Sequence, residues 1–168
     1  MNLYVVRHAI ATERGTPGFE ADSQRPVTDR GREKMTSIAR GLKQLETVLQ
    51  AIVSSPYVRA RETAEILAEG LDFKVEAIKF SDALLPMADP AELLKEIATE
   101  HAGENLAVVG HEPHLSSFIS YLLTANIDMS INLKKGGACL MTLDLSPRGN
   151  PATLEWLMTP RQLIALAG

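Results

Sequence analysis

One cysteine in 168 residues, Cys139, excludes an internal disulfide and fits a reducing compartment. The N-terminus has no basic stretch followed by an apolar one, so no secretory leader is expected there. No apolar run approaches the roughly 20 residues that span a bilayer. The expected setting is the cytoplasm, with no membrane partner. Surplus positive charge is missing too: 17 Lys and Arg face 21 Asp and Glu, for a net charge of −4. That argues against a nucleic-acid partner, which requires excess cations. It leaves room for an anionic substrate, because a local arginine cluster overrides the net charge. Repeats and low-complexity tracts are absent. The stretch HEPH at 111–114 is not the HExxH of a zinc site, and no Cys or carboxylate cluster completes a metal set. No metal and no cofactor is expected.

What the chain does have is 45% hydrophobic and 23% charged residues, the balance of a globular protein. Its length suits one domain over 1–168 with a real core. Apolar strand-like runs alternate with longer helical patterns. The fold class that follows is α/β, a three-layer α/β/α sandwich. Its central sheet would be mostly parallel, with an antiparallel C-terminal hairpin.

The first strand is predicted over 2–7, and a loop carrying Gly15, Pro17, Gly18 and Pro26 over 9–27. Thr28 then reads as the cap of a helix whose buried face holds Met35, Ile38, Ala39, Leu42 and Leu45. A second strand is expected at 51–54. Ser55 and Pro56 read as cap and first position of a helix with Ala60, Ala64, Leu67 and Leu71. A short strand is expected at 74–80. Asp89, Pro90 and Glu92 mark another helix start, with Leu93, Leu94 and Ile97 buried. LAVVG at 106–110 is the most buried-looking strand, and Pro113 opens the helix after it. Residues 137–145 and 152–158 pair around SPRGNP, and a last helix begins near Pro160.

Three strand-to-helix junctions carry a cation or an imidazole. Arg7 and His8 end the first strand. Arg59 sits in the first turn after the second, and His111 ends the 106–110 strand. Parallel neighbours place these ends on one edge, where open α/β sheets bind ligands. Arg7 and Arg59 offer planar forks to phosphate oxygens. His8 is the candidate nucleophile, because a neutral imidazole can attack phosphorus. His111 is a second donor to the phosphoryl oxygens or a proton carrier.

The stretches VVRHA, SSPYVRARETAE and VVGHEPHL resemble those of the histidine phosphatase superfamily, the phosphoglycerate mutase and acid phosphatase clan. DSQRPVTDRG and the short length make the chain similar to the SixA-type phosphohistidine phosphatases within it. Ala9 stands where most of that clan has Gly, and a small residue is kept. The resemblance implies a phospho-His8 intermediate that water later cleaves. It also implies removal of phosphate from a protein histidine, for instance on a phosphotransfer domain. The alternatives are a small-molecule phosphomonoesterase of the same superfamily and an inactive phosphate-binding module.

An oxygen ester would need an acid for its leaving group. Asp82, Asp89 and Glu13 are the candidates, although Asp89 is better explained as a helix cap and Asp82 as a loop residue. A phosphohistidine substrate needs less help, because its imidazole can carry its own proton. Arg25 either faces the phosphate site or is a solvated loop residue. His101 reads as a helix-end residue, His114 as a rim residue, and Cys139 as buried core.

Overall fold

The computed structural model describes residues 1–146 and 152–168, so residues 147–151 of the predicted SPRGNP turn lie outside it. In β1 (Asn2–Arg7), Leu3 and Val5 pack to one face while Tyr4 and Val6 pack to the other. A strand buried on both faces reads as a continuous apolar run. β4 (Leu106–Gly110) has the same character and is buried along its whole length. β2 (Ala51–Ser54) and the two-residue β3 (Lys79–Phe80) extend the sheet on one side. β5 (Ala138–Leu143) and β6 (Ala152–Met158) complete it on the other. The order is β3-β2-β4-β1-β5-β6, parallel from β3 through β1 and antiparallel across β5 and β6.

Helices cover both faces, as the sandwich requires. α1 (Asp29–Gln44), α2 (Val58–Gly70) and α5 (Pro160–Leu166) close one core through Met35, Ile38, Ala64, Leu67 and Leu163. α3 (Pro90–Glu100) and α4 (His114–Thr124) close the other through Leu93, Ile97, Leu115, Phe118 and Leu122. Thr28 caps α1 by accepting from the Gly31 amide, and Asp89 caps α3 by accepting from the Ala91 amide.

Two expected elements differ. Residues 74–80 are not one strand: Val75–Ala77 forms a 3₁₀ turn, and only Lys79 and Phe80 pair, with Val53 and Ser54. The 3₁₀ turn takes the preceding residues out of the extended conformation, so only these two reach β2. The helix expected at Ser55–Pro56 begins instead at Val58, because the Ser55 hydroxyl is bonded to His111 and does not cap a helix. Among the described residues no helix is long and apolar enough to cross a membrane.

α1 meets α5 at Gly41, where an added Cβ would lie 1.9 Å from the Leu163 carbonyl oxygen. Gly41→Ala would improve helix propensity by about 1 kcal/mol. It would also force the two helices apart. The expected net effect is a loss of about 1–3 kcal/mol, the range for overpacking a tight contact. Urea unfolding measures it, and a midpoint equal to or above wild type would contradict the packing described.

Candidate active site

The register of β1 on β4 sets Arg7 opposite Gly110. The next residues, His8 and His111, therefore leave the sheet side by side, with the His8 amide on the Gly110 carbonyl at 3.0 Å. β2 lies on the far side of β4, and the Ser55 amide bonds to the Val109 carbonyl at 2.9 Å. On the β5 side the Gly136 amide reaches the Arg7 and His8 carbonyls. Gly136 has φ of 77°, a conformation that favours glycine. That turn brings Lys135 to the same edge.

His8 is held in one tautomer. Its Nδ1 lies 2.7 Å from the Ala9 carbonyl oxygen. A carbonyl only accepts, so Nδ1 carries the proton and Nε2 keeps its lone pair. Arg59 donates from Nε to that Nε2 at 3.2 Å. Burial pushes the His8 pKa down, the bond to Ala9 opposes this, and Arg59, Arg7 and Lys135 add to the fall, to about 3. The ring is neutral at pH 7. Ala9 is fixed in turn by Thr63 of α2, whose hydroxyl accepts from the Ala9 amide and donates to the Arg59 carbonyl.

His111 packs 5.1 Å from His8 and 5.0 Å from Tyr57 between ring centroids. Its Nε2 is 2.8 Å from the Ser55 hydroxyl. The same hydroxyl accepts from the Tyr57 amide at 3.4 Å. The His111 Nδ1 is a buried atom without a hydrogen-bond partner among the described residues. Burial, then His8 and Arg59, lower its pKa to about 2.

The two arginines are held by the protein. Arg59 is 3% exposed. It donates from Nη1 to the Asp22 carbonyl at 2.6 Å and from Nη2 to the Asp22 carboxylate at 2.9 Å. Arg7 donates from Nη1 to the Leu133 carbonyl at 2.8 Å. Burial lowers both guanidinium pKa values, opposed by Glu112 at Arg7 and by Asp22 at Arg59. Both remain cations at neutral pH.

Asp22 ties the 9–27 loop to the site. Its carboxylate also takes Arg25 at 2.7 Å and Arg14 at 3.0 Å. Burial would raise its pKa, but Arg25 and Arg59 hold it down at about 2. The loop's base is closed by the Ala11–Val27 bridge and by Glu62 of α2, which accepts from the Val27 amide and pairs with Arg32.

Arg7, His8, Arg59 and His111, the four residues expected from the sequence, line one crevice of about 290 Å³. Arg25 lines it as well and is 8% exposed, so it is no solvated loop residue. Of the candidate acids, Glu13 borders the crevice, whereas Asp82 and Asp89 do not. Asp82 opens a 3₁₀ turn and lines a neighbouring hollow, and Asp89 is the α3 cap. His114 is not on the rim. α4 starts at this residue, and its ring turns inward and stacks on Phe118 one turn later, at 2% exposure. His101 is the buried C-cap of α3 and bonds to Glu104 at 2.6 Å. Cys139 is buried in β5, with its thiol pushed up to about 12 by desolvation. Among the described residues no three His, Cys, Asp or Glu side chains cluster as a metal site.

Sequence reading passed over Asp22, Ser55 and Glu112. Asp22 stands three residues before Arg25 and was legible as its partner, but not as the partner of Arg59, 37 residues away. Ser55 read as a cap. Glu112 follows His111 directly and carried no period or motif of its own.

A three-layer α/β protein with two histidines and two arginines converging at the carboxyl edge of its parallel strands belongs to the phosphate-handling class of such folds. The sequence profile of the histidine phosphatase superfamily (branch 1) matches residues 3–82, and the chain belongs to that superfamily as a SixA-like member. An uncharacterized protein of Picosynechococcus is 32% identical over 139 residues, 82% of each chain. Phosphohistidine phosphatase SixA of Escherichia coli is 24% identical over 165 residues, 97% of this chain and 96% of that one. A structure of the protein histidine phosphatase SixA complexed with tungstate superposes with a TM-score of 0.83 at 22% identity, covering 97% of this chain and 99% of that one. A phosphoserine phosphatase of Entamoeba histolytica shares the fold at a TM-score of 0.72 and 15% identity, over 96% and 98% of the two chains.

The depressed histidines make stability sensitive to acid. Folded His8, His111 and His114 stay neutral down to about 3, 2 and 4, whereas unfolded histidine takes up its proton near 6.5. Below pH 6.5 the unfolded chain binds more protons, so the histidine contribution is complete above that value and falls as pH drops toward 4. Asp22 contributes in full above its unfolded value of 3.8 and loses its share only as pH falls below that. The expected loss is about 1–2 kcal/mol per histidine between about pH 6.5 and 5, read from urea unfolding at each pH. His8→Gln should make the slope shallower. A flat profile over that range would contradict the neutral, buried imidazoles.

Proposed function

We propose that this chain is a metal-independent phosphohistidine phosphatase acting through a phospho-His8 intermediate. The observation that carries the reading is the His8 ring: neutral, with Nδ1 tied to the Ala9 carbonyl and Nε2 in the crevice between two cations. A lone pair so oriented attacks phosphorus without prior deprotonation.

A phosphoryl group entering the crevice displaces the Arg59 Nε hydrogen bond from His8 Nε2 onto one of its own oxygens. Arg7 and Arg59 then stabilise the charge on the transferring group. Because the protein already holds both, little reorganisation accompanies the reaction. His111 donates to a further phosphoryl oxygen. The His8 Nε2–P bond forms as the bond from phosphorus to the substrate imidazole breaks, and that imidazole leaves with its own proton. Water then attacks phosphorus, the Nε2–P bond breaks, and its electron pair returns to His8.

A protein-borne phosphohistidine as substrate is supported by the likeness to SixA over nearly the whole chain. A phosphotransfer domain is the partner we favour. A cytoplasmic setting agrees with the single buried thiol. Neither a metal nor a cofactor enters these steps.

Phosphate release from a histidine-phosphorylated phosphotransfer protein, with EDTA present, tests the proposal. Wild type is expected to release phosphate and His8→Ala is expected to release none above background. Arg59→Ala should lose about 10²- to 10³-fold in kcat/KM, the scale of losing one preorganised donor. Full activity in His8→Ala would overturn the mechanism. Turnover of small phosphoesters alone would move the substrate assignment to a phosphomonoesterase.

A further inference from the structure

Five Lys and Arg side chains border the crevice: Arg7, Arg14, Arg25, Arg59 and Lys135. Four of them are held by the protein. Arg14, Arg25 and Arg59 pair with the Asp22 carboxylate, and Arg7 donates to the Leu133 carbonyl. Lys135 is exposed and enters no side-chain hydrogen bond or ion pair among the described residues.

The backbone nevertheless fixes where that side chain starts. Two residues before it, the buried Leu133 offers its carbonyl to Arg7. Directly after it, the Gly136 amide donates to the Arg7 and His8 carbonyls at 3.0 and 3.1 Å, and the Gly137 carbonyl accepts from the Arg7 amide at 3.1 Å. A Cβ at Gly136 would lie 2.9 Å from Ile38 Cδ1, so the close approach of α1 holds the turn as well. Lys135 is thereby anchored to the same two residues that supply the proposed nucleophile and one guanidinium. Its charge is felt there. Burial lowers the His8 pKa, and Lys135 follows Arg59 and Arg7 among the charges that lower it further.

An ammonium without a partner at this crevice can do what the held guanidinium groups cannot. During transfer, phosphorus moves from the leaving atom toward His8 Nε2, and its oxygens move with it. Guanidinium groups tied to Asp22 and Leu133 keep their places. An ammonium on a four-carbon stem can follow, and its three donors rotate to meet an oxygen. Resting on the phospho-His8 reading, we infer that Lys135 is a third cationic contact of the phosphoryl group, one that stays with it from the substrate to His8. The bonds that change are those of the transfer itself. The His8 Nε2–P bond forms as the bond from phosphorus to the substrate imidazole breaks, and Lys135 remains an ammonium throughout. Ordering its stem costs conformational entropy, whereas Arg59 is already ordered. The contribution of Lys135 is therefore smaller than that of Arg59.

The test compares wild type, Lys135→Met, Lys135→Arg and Lys134→Met. Lys134 is the control, because it is exposed on the same turn but does not border the crevice. For each protein the dissociation constant of inorganic phosphate is measured by NMR titration, kcat/KM on a histidine-phosphorylated protein, and the urea unfolding midpoint. Lys135→Met is expected to weaken phosphate binding and to lower kcat/KM, each by about 10-fold. Lys135→Arg, which keeps the charge, should recover most of both. Lys134→Met should stay within about twofold of wild type, as an exposed charge screened by solvent does. All midpoints should match wild type. Phosphate binding unchanged in Lys135→Met overturns the inference. Equal losses in the two methionine variants also overturn it, because the effect is then the general field of the turn and not a contact. A loss that Lys135→Arg fails to recover overturns it as well. Wild type that binds phosphate through Lys135 yet releases none from phosphohistidine supports the contact and overturns the phosphohistidine reading.

Discussion

Everything at the candidate site depends on the parallel pairing of β1 with β4. With Arg7 opposite Gly110, His8 and His111 emerge as neighbours. A shift by one residue would turn the side chains of β1 to the opposite face of the sheet. The register is secured because both strands are buried on both faces. Leu3, Val5, Leu106 and Val108 pack into one core, and Tyr4, Val6, Ala107 and Val109 into the other. A slip would exchange these two sets between cores of different shape. The same pairing sets the Ser55 amide against Val109 on the outer side of β4 and the Gly136 turn against β1 on the other. Two further chain segments are thus brought to His8 and His111 by backbone hydrogen bonds.

Electrostatics then build on that frame. Two arginines beside two buried histidines form a cationic pocket in a chain of net charge −4. The imidazoles respond by staying neutral, which keeps the proposed nucleophile ready to attack. Asp22 offsets part of the positive charge and fastens the 9–27 loop to Arg59 and Arg25. An arriving phosphate and the Asp22 carboxylate therefore draw on the same guanidinium group. The loop's position and the site's affinity for anions are two readings of one interaction.

The strand ends were legible because each functional residue directly follows an apolar run: Arg7 and His8 after LYVV, His111 after LAVVG. The layer order followed from the alternation of strands and helices. Less local features were not legible. Asp22 pairs with a residue on another element, and nothing in its own neighbourhood marks that partner. Ser55 followed by Pro56 has the pattern of a helix cap, but its hydroxyl serves His111 instead. His114 is buried because α4 begins at that residue, with Pro113 as its cap, and the ring then falls on the face that carries Phe118. The 74–80 stretch alternates as a strand should, yet Val75–Ala77 closes into a 3₁₀ turn and leaves only Lys79 and Phe80 to pair with β2.

The most direct test of the central claim is the chemical position of phosphate on the enzyme during turnover. Alkaline quenching preserves a phosphohistidine, and peptide mass spectrometry with ³¹P spectroscopy then identifies the residue and the ring nitrogen. Because the Ala9 carbonyl holds the His8 proton on Nδ1, the account predicts phosphate on Nε2 of His8. Phosphate on Nδ1, phosphate on any other residue, or turnover without a phosphorylated enzyme would contradict it.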